Sequence, residues 1–127
     1  MAEKQALKIT KGPAAKGPYS TCVAAGDFLF VSGQVPVDPA TGTMVGGRIE
    51  NQARRVLENL KVVLEEAGSS LDRVVKMTVF LSDMDAFARI NGVYAEYFPS
   101  APPARSCVQA ARLPFDVGIE IEAIALR

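Results

Sequence analysis

Gly118-Ile119-Glu120-Ile121-Glu122-Ala123-Ile124-Ala125-Leu126 is the stretch on which the fold turns. It alternates with the period of two of a β-strand, in which successive side chains point to opposite faces of a sheet. Ile119, Ile121, Ala123 and Ala125 share one face. Glu120, Glu122, Ile124 and Leu126 share the other, which is acidic at one end and apolar at the other. The first face requires a covering layer, and half of the second requires one too.

Working outward, Leu113-Pro114-Phe115-Asp116 connects this strand to an earlier one, Ala104 to Ala111. Ala101-Pro102-Pro103 keeps the chain extended before it. Further back, Phe87, Ile90, Val93, Tyr94 and Tyr97 recur at helical steps, with Ser82-Asp83 as the cap and Pro99 as the end. Val74 to Leu81 is rich in Val, Thr and Phe and predicts a strand. Before it, Ile49, Ala53, Val56, Leu57, Leu60, Val63, Leu64 and Ala67 form the apolar face of a helix starting near Arg48 and stopped by Gly68. Phe28 to Val35 reads as a strand with large apolar residues on both faces, paired through Gly26-Asp27 with Tyr19 to Ala25. Leu7-Lys8-Ile9-Thr10 supplies an earlier strand.

The order is β-β-β-α-β-α-β-β, an α+β fold with a single mixed sheet and two helices on one face. The 127 residues fit one domain spanning 1–127. Two helices cannot cover both faces, so the second face is expected to be buried against other copies of the chain.

Composition removes several functional classes. Fourteen Lys and Arg balance fourteen Asp and Glu, which argues against a nucleic-acid binder with its usual basic excess. There is no histidine, so Ser-His-Asp and Cys-His machinery is absent, and the two cysteines, Cys22 and Cys107, cannot complete an ordinary zinc site. Any acid–base chemistry falls to carboxylates, Tyr, Lys or Cys. Met1-Ala2-Glu3-Lys4-Gln5 opens no apolar leader, and no apolar run approaches the roughly 20 residues of a membrane span. A cytoplasmic protein without membrane contact is the expectation.

The chemistry-bearing residues are few. Arg105, Cys107 and Gln109 alternate onto one strand face. An arginine there needs an anion, either a ligand carboxylate held by its planar fork or a structural partner such as Glu120 or Glu122. Glu120, flanked by isoleucines, is either solvated or, under a neighbouring subunit, a carboxyl with a raised pKa able to exchange a proton with water. Cys107 reads as pocket lining and Cys22 as core. Tyr19 could offer its hydroxyl to a ligand, Ser32-Gly33 allows close backbone approach, and Asn91 is a poor helix residue that caps locally or reaches a pocket.

Gly17-Pro18-Tyr19-Ser20, Val31-Ser32-Gly33-Gln34, Val75 to Phe80, Pro103-Ala104-Arg105-Ser106 and Ile119 to Ala125 together resemble the RidA/YjgF reactive intermediate deaminase family, from about Thr10 to the C-terminus. Met77 stands where many members carry threonine. The resemblance implies a chorismate-mutase-like protomer and a homotrimer whose sheets form a central barrel, with sites between subunits. It implies hydrolysis of 2-aminoacrylate-type enamines and 2-imino acids to 2-keto acids and ammonia, without metal or cofactor. By the same resemblance, Arg105 binds the substrate carboxylate and Glu120 positions water, while Tyr19, Ser32, Gly33, Asn91 and Cys107 line the pocket. Three alternatives stand beside this: a non-catalytic regulatory trimer that binds small carboxylates, an RNA-cleaving translation inhibitor, and a chaperone-like surface role.

Overall fold

The alternating and helical patterns come together around one sheet. The computed structural model describes residues 3–127; Met1 and Ala2, the start of the segment read as lacking an apolar leader, lie outside the described residues. The strands are β1 (Lys4–Leu7), β2 (Cys22–Ala25), β3 (Phe28–Gln34), β4 (Val74–Leu81), β5 (Ala104–Gln109) and β6 (Ile119–Leu126), with helices α1 (Ile49–Glu66) and α2 (Phe87–Tyr97). They form a six-stranded sheet in the order β1-β2-β3-β6-β4-β5. Only β4 and β5, joined through α2, pair in parallel; the other neighbours are antiparallel. The fold is the expected α+β arrangement.

Ile119, Ile121, Ala123 and Ala125 of β6 are buried with Leu29 and Val31 of β3 and with Met77, Val79 and Leu81 of β4. Against them α1 buries Ala53, Val56, Leu57, Leu60, Val63 and Leu64. Fully burying one such Leu or Val contributes about 1.5–3 kcal/mol. Met77 is fully buried, as core variation requires. Helix α1 ends where Gly68 takes φ +86°. There the Gly68 amide donates to Glu65 O (3.0 Å) and the Ser69 amide to Leu64 O (2.8 Å), closing the last turn.

The open face of the sheet is as apolar as the pattern implied. Phe28 and Phe30 are 41% and 44% exposed, and Leu126 and Val108 are exposed with them. Both helices lie on the opposite face. Among the described residues no helix is long and apolar enough to cross a membrane.

Several boundaries differ from the sequence reading. The first strand is Lys4–Leu7 rather than Leu7 to Thr10. The Thr10 and Lys11 amides donate instead to the Glu66 carboxylate at the end of α1 (2.7 and 2.8 Å), which draws the chain off the sheet edge. Strand β2 starts at Cys22, not Tyr19, because the Tyr19 amide turns back to Gly17 O (2.9 Å). Strand β5 stops at Gln109, short of Ala111, where the Ala110 amide donates to Leu81 O (2.8 Å). Strand β3 ends at Gln34, short of Val35. Asp83 does cap, accepting the Asp85 amide at 2.9 Å, but it starts a 3-10 turn, Met84–Ala86, that leads into α2. Both cysteines are free thiols, Cys22 buried and Cys107 half-buried.

Candidate active site

Glu120 reaches the open face from the start of β6, directly opposite Phe80 of β4. On its other side β3 loses register between Val31 and Gln34. Gly33 sits in that irregularity with its backbone against the Glu120 side chain. A Cβ on Gly33 would strike the carboxylate, with Cδ 2.9 Å away and Oε2 closer still. Any other residue at position 33 would displace the acid. Burial pushes the Glu120 carboxyl up from the ordinary range, and the neighbouring Glu122 charge adds to the effect.

The cleft around Glu120 has a volume of about 520 Å³ and is walled by Tyr19, Ser32, Gly33, Val35, Lys16 and Phe115, with Glu122 at its edge. Ser32 lines it, but its hydroxyl donates to Ser20 O at 2.6 Å rather than pointing freely into the opening. That bond, with Ser32 N to Thr21 O at 2.9 Å, ties the Tyr19 turn to β3. The Tyr19 hydroxyl accepts the Lys16 amide at 3.3 Å. Across the cleft, Lys16 Nζ lies 5.4 Å from the centre of the Phe115 ring. Phe115 and Asp116 adopt φ values of +59° and +55°, and the Arg112–Asp116 ion pair (2.6 Å) closes their loop.

Arg105 belongs to a different cleft. It stands on edge strand β5 opposite Met77, whose side chain is buried on the helix side of the sheet. Among the described residues Arg105 forms neither an ion pair nor a side-chain hydrogen bond. Its guanidinium carbon lies 4.7 Å from the Tyr94 ring centre and 5.5 Å from that of Phe87. The cleft, about 480 Å³, is lined by Arg105, Asn91, Tyr94, Phe98 and Pro102-Pro103. The structural ion pair with Glu120 or Glu122, the alternative left open by the sequence, is therefore not formed. Those acids occupy the other face.

Of the residues singled out from sequence, Tyr19, Ser32, Gly33 and Glu120 converge in one cleft, and Asn91 and Arg105 in the other. Cys107 follows Arg105 on the same strand face and packs against the core without lining either cleft. Burial raises its thiol pKa, and the Arg105 charge opposes the rise. Sequence reasoning missed Lys16, Phe115, Phe87 and Tyr94 as site residues. By sequence, Phe87 and Tyr94 belong to the apolar stripe of α2, and the seven-residue step between them is the one signal that both face the same neighbour. Nothing local marked Lys16.

The arrangement has counterparts among known proteins. A family model described as Endoribonuclease L-PSP matches residues 9–127. A RutC family protein of Pyrococcus horikoshii is 53% identical over 124 residues, covering 98% of each chain. The Escherichia coli protein TdcF, provisionally named a reactive intermediate deaminase, is 46% identical over 127 residues, 98% of each chain. Its crystal structure with bound serine superposes with a TM-score of 0.87 and 48% identity, over 92% of this chain and 94% of that one. A Yersinia pestis structure described as a protein of unknown function in the conserved Rid family superposes with a TM-score of 0.95 and 39% identity, over 98% and 100%. The chain belongs to the RidA/YjgF (Rid) family.

Proposed function

We propose that the whole chain acts as one deaminase domain, hydrolysing 2-imino acids and their 2-aminoacrylate-type enamine tautomers to 2-keto acids and ammonia. The observation that carries this reading is Arg105: a guanidinium in a cleft, over aromatic rings, with no anion among the described residues to neutralise it. A cation held over aromatic rings keeps its N–H donors for a carboxylate, which the planar guanidinium fork grips in bidentate fashion. The bound serine of the E. coli relative, a small amino acid with a carboxylate, supports a ligand of this class.

Glu120 supplies the second group. Its raised pKa suits a carboxyl that takes a proton from water and returns it. The water oxygen bonds to the carbon of the protonated imine, and the C=N π pair moves to nitrogen, giving a carbinolamine. Glu120 holds the water proton and then delivers it to the amine. The C–N bond breaks as C=O forms, Glu120 takes the remaining hydroxyl proton and passes it to the departing ammonia, and the keto acid and ammonium are released. The protonated imine is already electrophilic, so positioning and one acid–base group suffice. Tyr19, Ser32, Gly33 and Asn91 shape the pocket, and Cys107 packs behind it against the core. Because Arg105 and Glu120 occupy different faces of one protomer, the site forms between subunits of a homotrimer.

The test uses imino acids generated in situ by an amino-acid oxidase, with ammonia or semicarbazone as readout. Arg105→Ala should abolish turnover; parent-like activity refutes the anchor. Glu120→Gln should still bind a keto-acid product but turn over about 10²–10⁴-fold more slowly, the usual contribution of one acid–base group. The description of the matching family model favours a second reading, RNA cleavage. The zero net charge and missing histidine stand against it, and strongly salt-dependent RNA binding would restore it.

A further inference from the structure

Arg105 owes its placement to α2. Phe87 and Tyr94 lie seven residues apart on the side of that helix that meets Arg105 of β5, and Phe98 follows just past its last turn. The Tyr94 and Phe98 rings stand 4.8 Å apart at a 38° tilt, so Phe98 backs the ring on which Arg105 rests. Tyr94 is only 7% exposed. Its hydroxyl is buried and, among the described residues, has no hydrogen-bond partner. A buried phenol normally finds a partner. Here the ring accounts for the position and the hydroxyl does not. Phe87 is an exposed aromatic at the start of α2, its ring also within reach of the guanidinium. Burial pushes the Tyr94 phenol up to about 12, so it meets Arg105 as a neutral ring and not as a phenolate.

We infer that the Tyr94 ring, assisted by Phe87 and backed by Phe98, is a positioning platform that sets the guanidinium of Arg105 for an incoming carboxylate. The inference rests on the proposed role of Arg105 and deepens it. Without an ion pair, an arginine side chain has many rotamers, and ordering them on binding weakens affinity. A cation–π face removes that freedom beforehand while leaving every N–H donor available for the ligand. An ion pair at the same place would fix the side chain too, but it would occupy the donors. Tyr94 touches neither water nor the reacting carbon; it acts through Arg105.

The test measures binding of pyruvate and of uncharged pyruvamide to the assembled protein by calorimetry, together with KM for an imino acid. Tyr94→Leu should weaken pyruvate binding about 3- to 30-fold, the range of a cation–π contact in a partly desolvated site, and raise KM in parallel. Pyruvamide binding should not change. Tyr94→Phe, which keeps the ring, should restore pyruvate affinity to within about threefold of the parent and melt no lower. Equal losses for pyruvate and pyruvamide, parent-like pyruvate binding by Tyr94→Leu, or a Tyr94→Phe variant as weak as Tyr94→Leu would each overturn the platform. Should Tyr94→Leu fail to assemble, Phe87→Leu decides: about a two- to threefold loss confined to pyruvate upholds the inference, and no loss overturns it. Arg105→Ala separates the two levels of the argument. If it loses pyruvate while Tyr94→Leu binds normally, only the platform fails; if it binds pyruvate like the parent, the anchor itself has been misassigned.

Discussion

Glu120 differs in sign from the other perturbed carboxylates of the chain. Glu50 is held down at about 2 by its hydrogen bonds from Arg89. Glu66 is lowered by the Lys11 and Thr10 amides, and Asp116 by Arg112. Each of these gains a partner when the chain folds, so its stabilisation is present above the unfolded pKa and fades as pH falls through the folded one. Glu120 gains no partner, only burial and a like-charged neighbour. Its folded form binds protons more tightly than its unfolded form, so its effect runs the other way. Stability is least perturbed below the unfolded value near 4.5 and falls as pH climbs through the raised folded value. Glu120→Gln removes this one group and leaves the others. The variant should melt higher than the parent at pH 7 to 8, with the gap closing towards pH 4, as read by paired thermal melts. A gap independent of pH would mean that the gain comes from packing and not from an ionised carboxylate held against Gly33.

Helix α1 does more than cover the sheet, and the reason lies in one residue that its sequence pattern conceals. Asn59 is fully buried. Its amide nitrogen donates to Val35 O (3.2 Å) and Val37 O (2.8 Å), and its oxygen accepts Arg55 Nε (3.1 Å). The chain leaving β3 is thereby pinned to α1, and Val35 is part of the wall of the Glu120 cleft. Asn59→Ala strands two carbonyls in the interior and should destabilise the protein by about 2–4 kcal/mol. A shifted urea midpoint with an unchanged slope would check it; a loss under about 0.5 kcal/mol would mean that water satisfies the carbonyls as well as Asn59 does. The limits of the sequence reading follow from the same physics. The apolar stripes of α1 and β6 were legible because burial imposes a period on neighbours in the chain. The Tyr19, Ser32, Gly33 and Glu120 grouping was not legible as a cleft of its own: the family resemblance put these residues in one pocket with Arg105, Asn91 and Cys107, and the pairing of β3 with β6 that brings them together is set by tertiary contacts. Asn59 was not legible, because a polar residue beside an apolar stripe looks solvated until its partner, 22 to 24 residues away, is known. Phe87 and Tyr94 were hidden for the converse reason: an aromatic at helical spacing looks like core whether it meets leucine or a guanidinium. The end of β1 moved because Glu66, distant in sequence, claimed the Thr10 and Lys11 amides, and the start of β2 moved because the Tyr19 amide turns back to Gly17 O and the Ser20 carbonyl accepts the Ser32 hydroxyl.

At the scale of the molecule, the chain holds two separate clefts and an uncovered sheet face. Arg105 stands in the row of Met77 and Ala123 on the helix side, whereas Glu120 stands in the row of Phe80 on the open side. A small imino acid cannot bridge a sheet, so a carboxylate anchor and a water-activating acid so placed can serve one substrate only if they come from different chains. The exposed Phe28, Phe30 and Leu126 supply the apolar surface that such an assembly would bury. The proposed homotrimer makes a quantitative claim. As pure assemblies, Arg105→Ala should be inactive and Glu120→Gln should keep at most about 1% of parental turnover. Refolded together in equal amounts, they mix at random, and a site is intact only when its Arg105 comes from a Glu120→Gln chain and its Glu120 from an Arg105→Ala chain. Each condition is met half the time, so about a quarter of the parental activity should return. Complementation of this kind cannot arise if both groups act within one chain, because every chain in the mixture carries one lesion. A mixture as inactive as its components, with mixed assemblies verified by native mass spectrometry, would therefore reject the shared site while leaving the fold untouched. Phe30→Glu provides the structural counterpart: a charge on the uncovered face should leave secondary structure intact, abolish assembly as read by light scattering, and remove turnover, since each isolated protomer keeps both groups but has no neighbour with which to combine them.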